Sequence, residues 1–133
     1  MPKILLVGQD FRLLATRAAV LAKTDASVVC CNALEAMKLL ESESFALIVL
    51  CHSLAEKEAS EITDAVHHRW PQTRILMVVS NVAQERLYRG VEFDATSSPD
   101  PNHLVHRTAE LLEGLPHHRL EESMRVQPSR IAS

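Results

Sequence analysis

A thiol, an imidazole and a hydroxyl stand together where an apolar run gives out. Residues Ala46 to Cys51 (ALIVLC) carry no charge, and the run stops abruptly at His52 and Ser53. Cys51 would be a nucleophile or a redox group if His52 or Asp10 could take its proton. Adjacent residues on a strand point to opposite faces, however, so His52 is badly placed to activate its neighbour unless the strand has already ended. A second uninterrupted run, Arg74 to Ser80 (RILMVVS), also ends in a hydroxyl residue. The two runs read as neighbouring strands, which would put Ser80 beside Cys51. Cys30 and Cys31 are adjacent within a strand-like stretch and read as small packing residues on opposite faces. Three cysteines without a CxxC or Cys/His spacing form neither a disulfide framework nor a zinc site, and all three read as reduced thiols. Of seven histidines, His67-His68, His103/His106 and His117-His118 are the pairs to weigh. His103 and His106 are three apart and share a helix face, but two ligands without a third do not make a metal site; solvated polar positions are the simpler reading.

The elements that must position these groups alternate in type. Lys3 to Val7 is a short apolar strand ending at Gly8. Phe11, Leu14, Ala15, Ala18, Leu21 and Ala22 then recur at helical spacing behind Asp10, a good N-cap. Ser27 to Cys31 supplies a second strand, and Ala33, Ala36, Met37 and Leu40 mark one face of a helix that begins after Asn32. Ala46 to Cys51 is the third and central strand. Ala55, Ala59, Ile62, Val66 and Trp70 follow on an amphipathic helix that Pro71 terminates. A fourth strand near 75 to 80 leads to a brief helix from Val82 to Arg89 that stops at Gly90. A weak fifth strand lies within Phe93 to Ser97, and a last helix carries Leu104, Thr108, Leu111 and Leu112 before Gly114 and Pro116 end it. The lone Gly8 is no dinucleotide fingerprint, because the second and third glycines of that motif are missing. Five strand and helix units in alternation imply a doubly wound parallel sheet with helices on both faces, an α/β sandwich of three layers.

The 133 residues are 47% hydrophobic and 23% charged, which suits one domain with a sizeable core. From His117 onward the sequence is polar and unpatterned, so residues 1–115 read as the domain and 116–133 as a flexible tail. A net charge of -3 and a pI near 6.1 give no broad attraction to nucleic acid or to an anionic membrane. The apolar run Ile4 to Val7 is too short for a signal-peptide core, and no stretch approaches the roughly 20 apolar residues of a membrane helix. A cytoplasmic protein is the expectation.

The stretches KILLVGQDFRLL, FALIVLCHSL, RILMVVSN and, after Gly90 to Pro99, PNHLVHRTAELL resemble a response-regulator receiver domain, the phosphoacceptor module of two-component signalling. The resemblance covers about Lys3 to Leu115 and implies a flavodoxin-like sheet of order 2-1-3-4-5. It also implies a site, and here the chain departs from the pattern. The two acidic, magnesium-binding positions after the first strand fall on Gly8 and Gln9, with Asp10 next along. The phosphoacceptor aspartate falls on Cys51, the hydroxyl residue on Ser80, the lysine on Ser98 and the aromatic switch on Ala95. Transfer of a phosphoryl group needs a metal and a lysine to neutralise concentrated negative charge, and Gly8, Gln9 and Cys51 offer a hard cation no side-chain carboxylate.

The expectation is therefore a pseudo-receiver without enzyme activity, metal or cofactor. It would work in phosphorelay-type signalling by contact with other proteins, a histidine kinase or another regulator, or by forming a homodimer. The contact face implied by the resemblance is Val82 to Tyr88 with the last helix. The rival is a redox sensor or cysteine-dependent enzyme built on Cys51.

Overall fold

The computed structural model describes residues 1–114, so the expected tail at 116–133 lies outside the described residues. The chain runs β1 (Lys3–Val7), α1 (Phe11–Leu21), a single 3-10 turn, β2 (Ser27–Cys31) and α2 (Ala33–Leu39). It continues through β3 (Leu47–Cys51), α3 (Glu56–Arg69), β4 (Arg74–Val78), α4 (Val82–Leu87), β5 (Ala95–Ser97) and α5 (Pro101–Glu113). All strands are parallel and the sheet order is β2-β1-β3-β4-β5, a flavodoxin-like topology.

Alternation of side chains along each strand divides the core in two. Leu5, Val7, Ile48, Leu50, Ile75 and Met77 pack against α2 and α3 through Ala36, Ala59, Ile62 and Val66. Ile4, Leu6, Leu47, Val49, Cys51, Leu76 and Val78 pack against α1 and α5 through Leu14, Leu21, Leu104 and Leu111. Every residue of β3 is buried, as an uncharged run covered on both faces must be.

Helix starts follow local chemistry. The Asp10 carboxylate accepts from the amides of Arg12 and Leu13, and Asn32 and Glu35 form a reciprocal capping box. Asn81 caps α4, and Asp100 with Pro101 opens α5. The strand ends differ slightly from expectation: β3 begins one residue later, β4 spans Arg74–Val78, and β5 is only three residues long. Asp94 shortens β5. Its Oδ2 accepts from the Ile75 amide at 2.7 Å while its own N–H reaches the Ile75 carbonyl at 2.8 Å, so a side chain stands in for the first rung of the ladder. The helix at 82–89 ends at Leu87, two residues early.

The buried stripe of α1 is the main correction. Phe11 is 81% exposed and Ala15 is exposed, whereas Arg17 takes an inward place between Leu14 and Leu21 with 6% exposure. Replacing the buried Ile48 with Ala removes three methyl or methylene groups from the sheet centre and should cost about 2–5 kcal/mol in urea denaturation. Phe11→Ala, on an exposed ring, should stay within about 0.5 kcal/mol.

Candidate functional site

In an open parallel sheet the loops at the carboxyl ends of the strands converge where the strand order reverses, here between β1 and β3. Gly8, Gln9 and Asp10 leave β1 at this point, and Cys51, His52 and Ser53 end β3. A Cβ placed on Gly8 would lie 3.1 Å from each of Cys51 Cβ, Leu14 Cδ2 and Ser53 Oγ, so the backbone of this loop is pressed onto the end of β3. The Gln9 N–H donates to Ser53 Oγ at 2.9 Å, and its side-chain amide donates to Glu58 Oε1 at 2.7 Å. The same carboxylate oxygen accepts from the Ala55 N–H at 2.9 Å. Gln9 thus stitches the loop after β1 to the start of α3.

This arrangement does not suit the magnesium ion that the resemblance implies. Asp10 is engaged at the α1 N-terminus, Glu58 is held by two donors, and neither Gly8, Gln9 nor Cys51 brings a carboxylate. Among the described residues no group of three or more His, Cys, Asp or Glu could hold a metal ion.

A buried protein cation lies close to the end of β3 instead. Arg17 projects from α1 into the dry layer under β3, with its Nη1 buried and without a hydrogen-bond partner. Its positive charge acts on both Cys51 and His52. Burial raises the Cys51 pKa above its ordinary value, and the nearby Arg17 guanidinium opposes this without reversing it. Burial, then Arg17, lower the His52 pKa, while Asp10 pulls it the other way. The site therefore presents a neutral thiol, a neutral imidazole and a permanent cation. A buried charge with no counter-ion costs on the order of several kcal/mol, which marks Arg17 as the unusual residue of the chain. The spacing Leu14, Arg17, Leu21 is helical, so a charged residue on a buried stripe was the signal available in the sequence.

The remaining positions are not drawn in. Cys51 pairs in register with Val78, and Ser80 lies two residues beyond it, exposed, with its N–H donating to Gln84 Oε1 at 2.6 Å. Ser80 follows the last β4–β5 pair, Val78 to Ser97, in the loop that leads into α4. Ser98 turns toward α5: its hydroxyl lies 2.9 Å from His103 Nδ1 and accepts from the Asp100 N–H at 3.3 Å. Ala95 holds no aromatic ring, but Tyr88, 2% exposed, places its hydroxyl 2.7 Å from the His52 carbonyl and 2.6 Å from that of Leu54. Tyr88 fastens the end of α4 to the loop after β3.

Nor do the histidine pairs assemble. His103 contacts Ser98, His106 lies 3.5 Å from Glu110, and His67 lies 3.6 Å from Glu92. His117 and His118 fall outside the described residues.

The fold is that of response-regulator receiver domains. The chain is similar to a CheY-like response regulator receiver domain from Methanospirillum hungatei JF-1, with a TM-score of 0.71 and 21% identity over 89% of this chain and 98% of that one. It is similar to the receiver domain of a sensor histidine kinase from Pseudomonas aeruginosa PAO1, solved with a magnesium ion in its active-site cleft: TM-score 0.73, 13% identity, 84% of this chain and 98% of that one. It is also similar to the signal receiver domain of an HD domain-containing protein from Pseudomonas fluorescens Pf-5, with TM-score 0.67 and 20% identity over 94% and 93%. No protein-family model matches the sequence, and no curated protein matches it. At these identities the likeness is one of fold.

Thiol chemistry gives the site a direct test. Cys30 is exposed, whereas Cys31 and Cys51 are buried; burial and then Glu35 push Cys31 up to about 12. Iodoacetamide at pH 8 should alkylate Cys30 in the folded protein and leave Cys31 and Cys51 free, with all three modified after denaturation. Peptide mapping by mass spectrometry reads the result.

Proposed function

We infer that this chain, over residues 1–115, is an atypical receiver that works in two-component signalling by contact with other proteins and does not take up a phosphoryl group. The observation that carries the reading is the replacement of the acidic cradle. Gln9 is stitched to Ser53 and Glu58, Gly8 is packed against Cys51, and the acceptor position is a buried thiol beside Arg17. With neither nucleophilic carboxylate nor metal ligands, phosphotransfer lacks both its acceptor and its charge neutralisation. The raised pKa and 1% exposure of Cys51 also weigh against the redox or cysteine-enzyme alternative.

Acetyl phosphate with Mg²⁺ should leave both the wild type and Cys51→Asp unphosphorylated by intact mass. A carboxylate at 51 restores the nucleophile, yet Gly8 and Gln9 still supply no metal ligands and Ser98 no cation. Restoring the full set would also require Gly8→Asp, whose Cβ alone crowds three atoms. A phosphorylated species on either protein overturns the reading.

The contact surface is best supported around α4. Val82 and Leu87 are 63% and 64% exposed, and a shallow cavity of about 400 Å³ is lined by Val82, Glu85, Arg86, Tyr88, Arg89, Val91 and Phe93. Arg107 on α5 belongs to the fold rather than to this surface: its Nε donates to the Thr96 carbonyl at 3.1 Å and its Nη1 pairs with Glu110 at 3.3 Å. Arg86→Glu with Arg89→Glu should weaken self-association or partner capture by about tenfold, roughly 1.4 kcal/mol. Sedimentation velocity and affinity capture from the native cell measure it, and associations unchanged in both would move the surface elsewhere.

A further inference from the structure

We propose that the outer edge of β2 pairs with the same edge of a second copy of this chain, antiparallel about a two-fold axis at Val29. The reading is independent of the contact surface around α4.

β2 ends the sheet, so one side of its backbone has no neighbouring strand. Two bonds to the β1 side fix which residues face which way. The Ser27 N–H donates to the Pro2 carbonyl at 2.8 Å, and the Cys31 carbonyl accepts from the Gly8 N–H at 3.1 Å. Alternate residues of a parallel strand bond to the same neighbour, so Ser27, Val29 and Cys31 face β1 while Val28 and Cys30 turn their N–H and C=O groups outward. Among the described residues none of these outward groups has a protein partner. The usual protections of an edge are absent as well. Ser27–Cys31 holds no charge, no proline and no bulge, and Cys30 is exposed. The opposite edge is protected: β5 is three residues long, and its outward Thr96 carbonyl accepts from Arg107 Nε at 3.1 Å.

Electrostatics select the occupant. Each chain carries a net charge of -3, so two copies repel in general and approach most closely along an uncharged strip. On this strip donors and acceptors are self-complementary. With the two strands antiparallel, Val28 lies opposite Cys30 of the second copy, and every outward N–H meets a carbonyl. Val29 then faces its own copy on the axis, in the closer, non-hydrogen-bonded kind of pair, with two β-branched side chains in contact. The flanks fix this register. Centring the pair on Cys30 would oppose Val28 to Asn32, whose N–H is already given to Glu35 Oε1 at 2.9 Å. Centring it on Val28 would oppose Cys30 to Ala26, which lies outside the strand beside the left-handed turn at Asp25.

The experiment is sedimentation velocity of the full chain in reductant, from about 5 to about 300 μM, where a reversible monomer-dimer equilibrium is expected. Cys30→Lys changes an exposed side chain, so the circular dichroism of the fold should persist while the charged edge weakens dimerisation at least about tenfold. Arg86→Glu with Arg89→Glu should leave this dimer unchanged, which separates it from contacts made by α4. Disulfide trapping then reads the register. In Cys30→Ser, the further change Val29→Cys sets two thiols on the axis with Cα atoms about 4.5 Å apart, within the span of a disulfide, and mild oxidation should link the dimer through residue 29. A chain that stays monomeric throughout leaves the edge to another segment or a foreign strand and overturns the proposal. So does a dimer that Cys30→Lys does not weaken, or one that Val29→Cys fails to link.

Discussion

A parallel sheet covered by helices on both faces has no wet side. The five residues of β3 are all buried, with α2 and α3 above them and α1 and α5 below. Any group at the end of that strand therefore enters a layer where water cannot share the cost of ionisation. This constraint governs the chemistry of the site. It keeps the Cys51 thiol protonated, moves His52 toward its neutral form and makes the single cation beside them costly. A carboxylate in such a place persists only with metal and hydrogen-bond partners. A thiol persists without them, which is why the position can be surrendered to packing with no other change in the strand.

Loss of the acidic cradle does not leave the loops loose. The N–H and side-chain amide of Gln9 reach two different residues of the segment after β3, and Glu58 gathers the amides of Gln9 and Ala55 onto one oxygen. On the other flank, the Tyr88 hydroxyl sits between two carbonyls, of His52 and Leu54, and has one proton to give. It donates to one and lies against the other. The loop after β3 is thus held from both sides by protein groups. Six residues of α4 are enough because Tyr88 anchors its end in the core.

Architecture was legible because it rests on repeated, mutually consistent signals. ALIVLC and RILMVV read as buried strands, and Asp10 and Asn32 each announce a helix start that the structure bears out. The same periodicity misled on α1, where apolar type was read as burial. Phe11 and Ala15 fit the stripe by spacing yet face water, while Arg17 fits it by spacing and was passed over for its charge. The site was legible only as a set of absences. That Gly8 and Cys51 fall at the strand ends follows from the pattern, but the stitch from Gln9 to Glu58 joins residues 49 apart and no local rule foretells it. Ser98 adds a local effect: a helix starting at Pro101 turns its hydroxyl toward His103 and the Asp100 N–H.

Arg17 and Cys51 are best understood as a pair. A neutral thiol offers a guanidinium no counter-charge, so the nearby Arg17 lowers the Cys51 pKa only against the larger effect of burial. Were residue 51 an aspartate, the two would form a buried ion pair. The carboxylate would then be held by up to two parallel donors of the guanidinium fork in place of a metal's open coordination sphere. That pairing would draw electron density away from the attacking oxygen and occupy the space where an incoming group must sit.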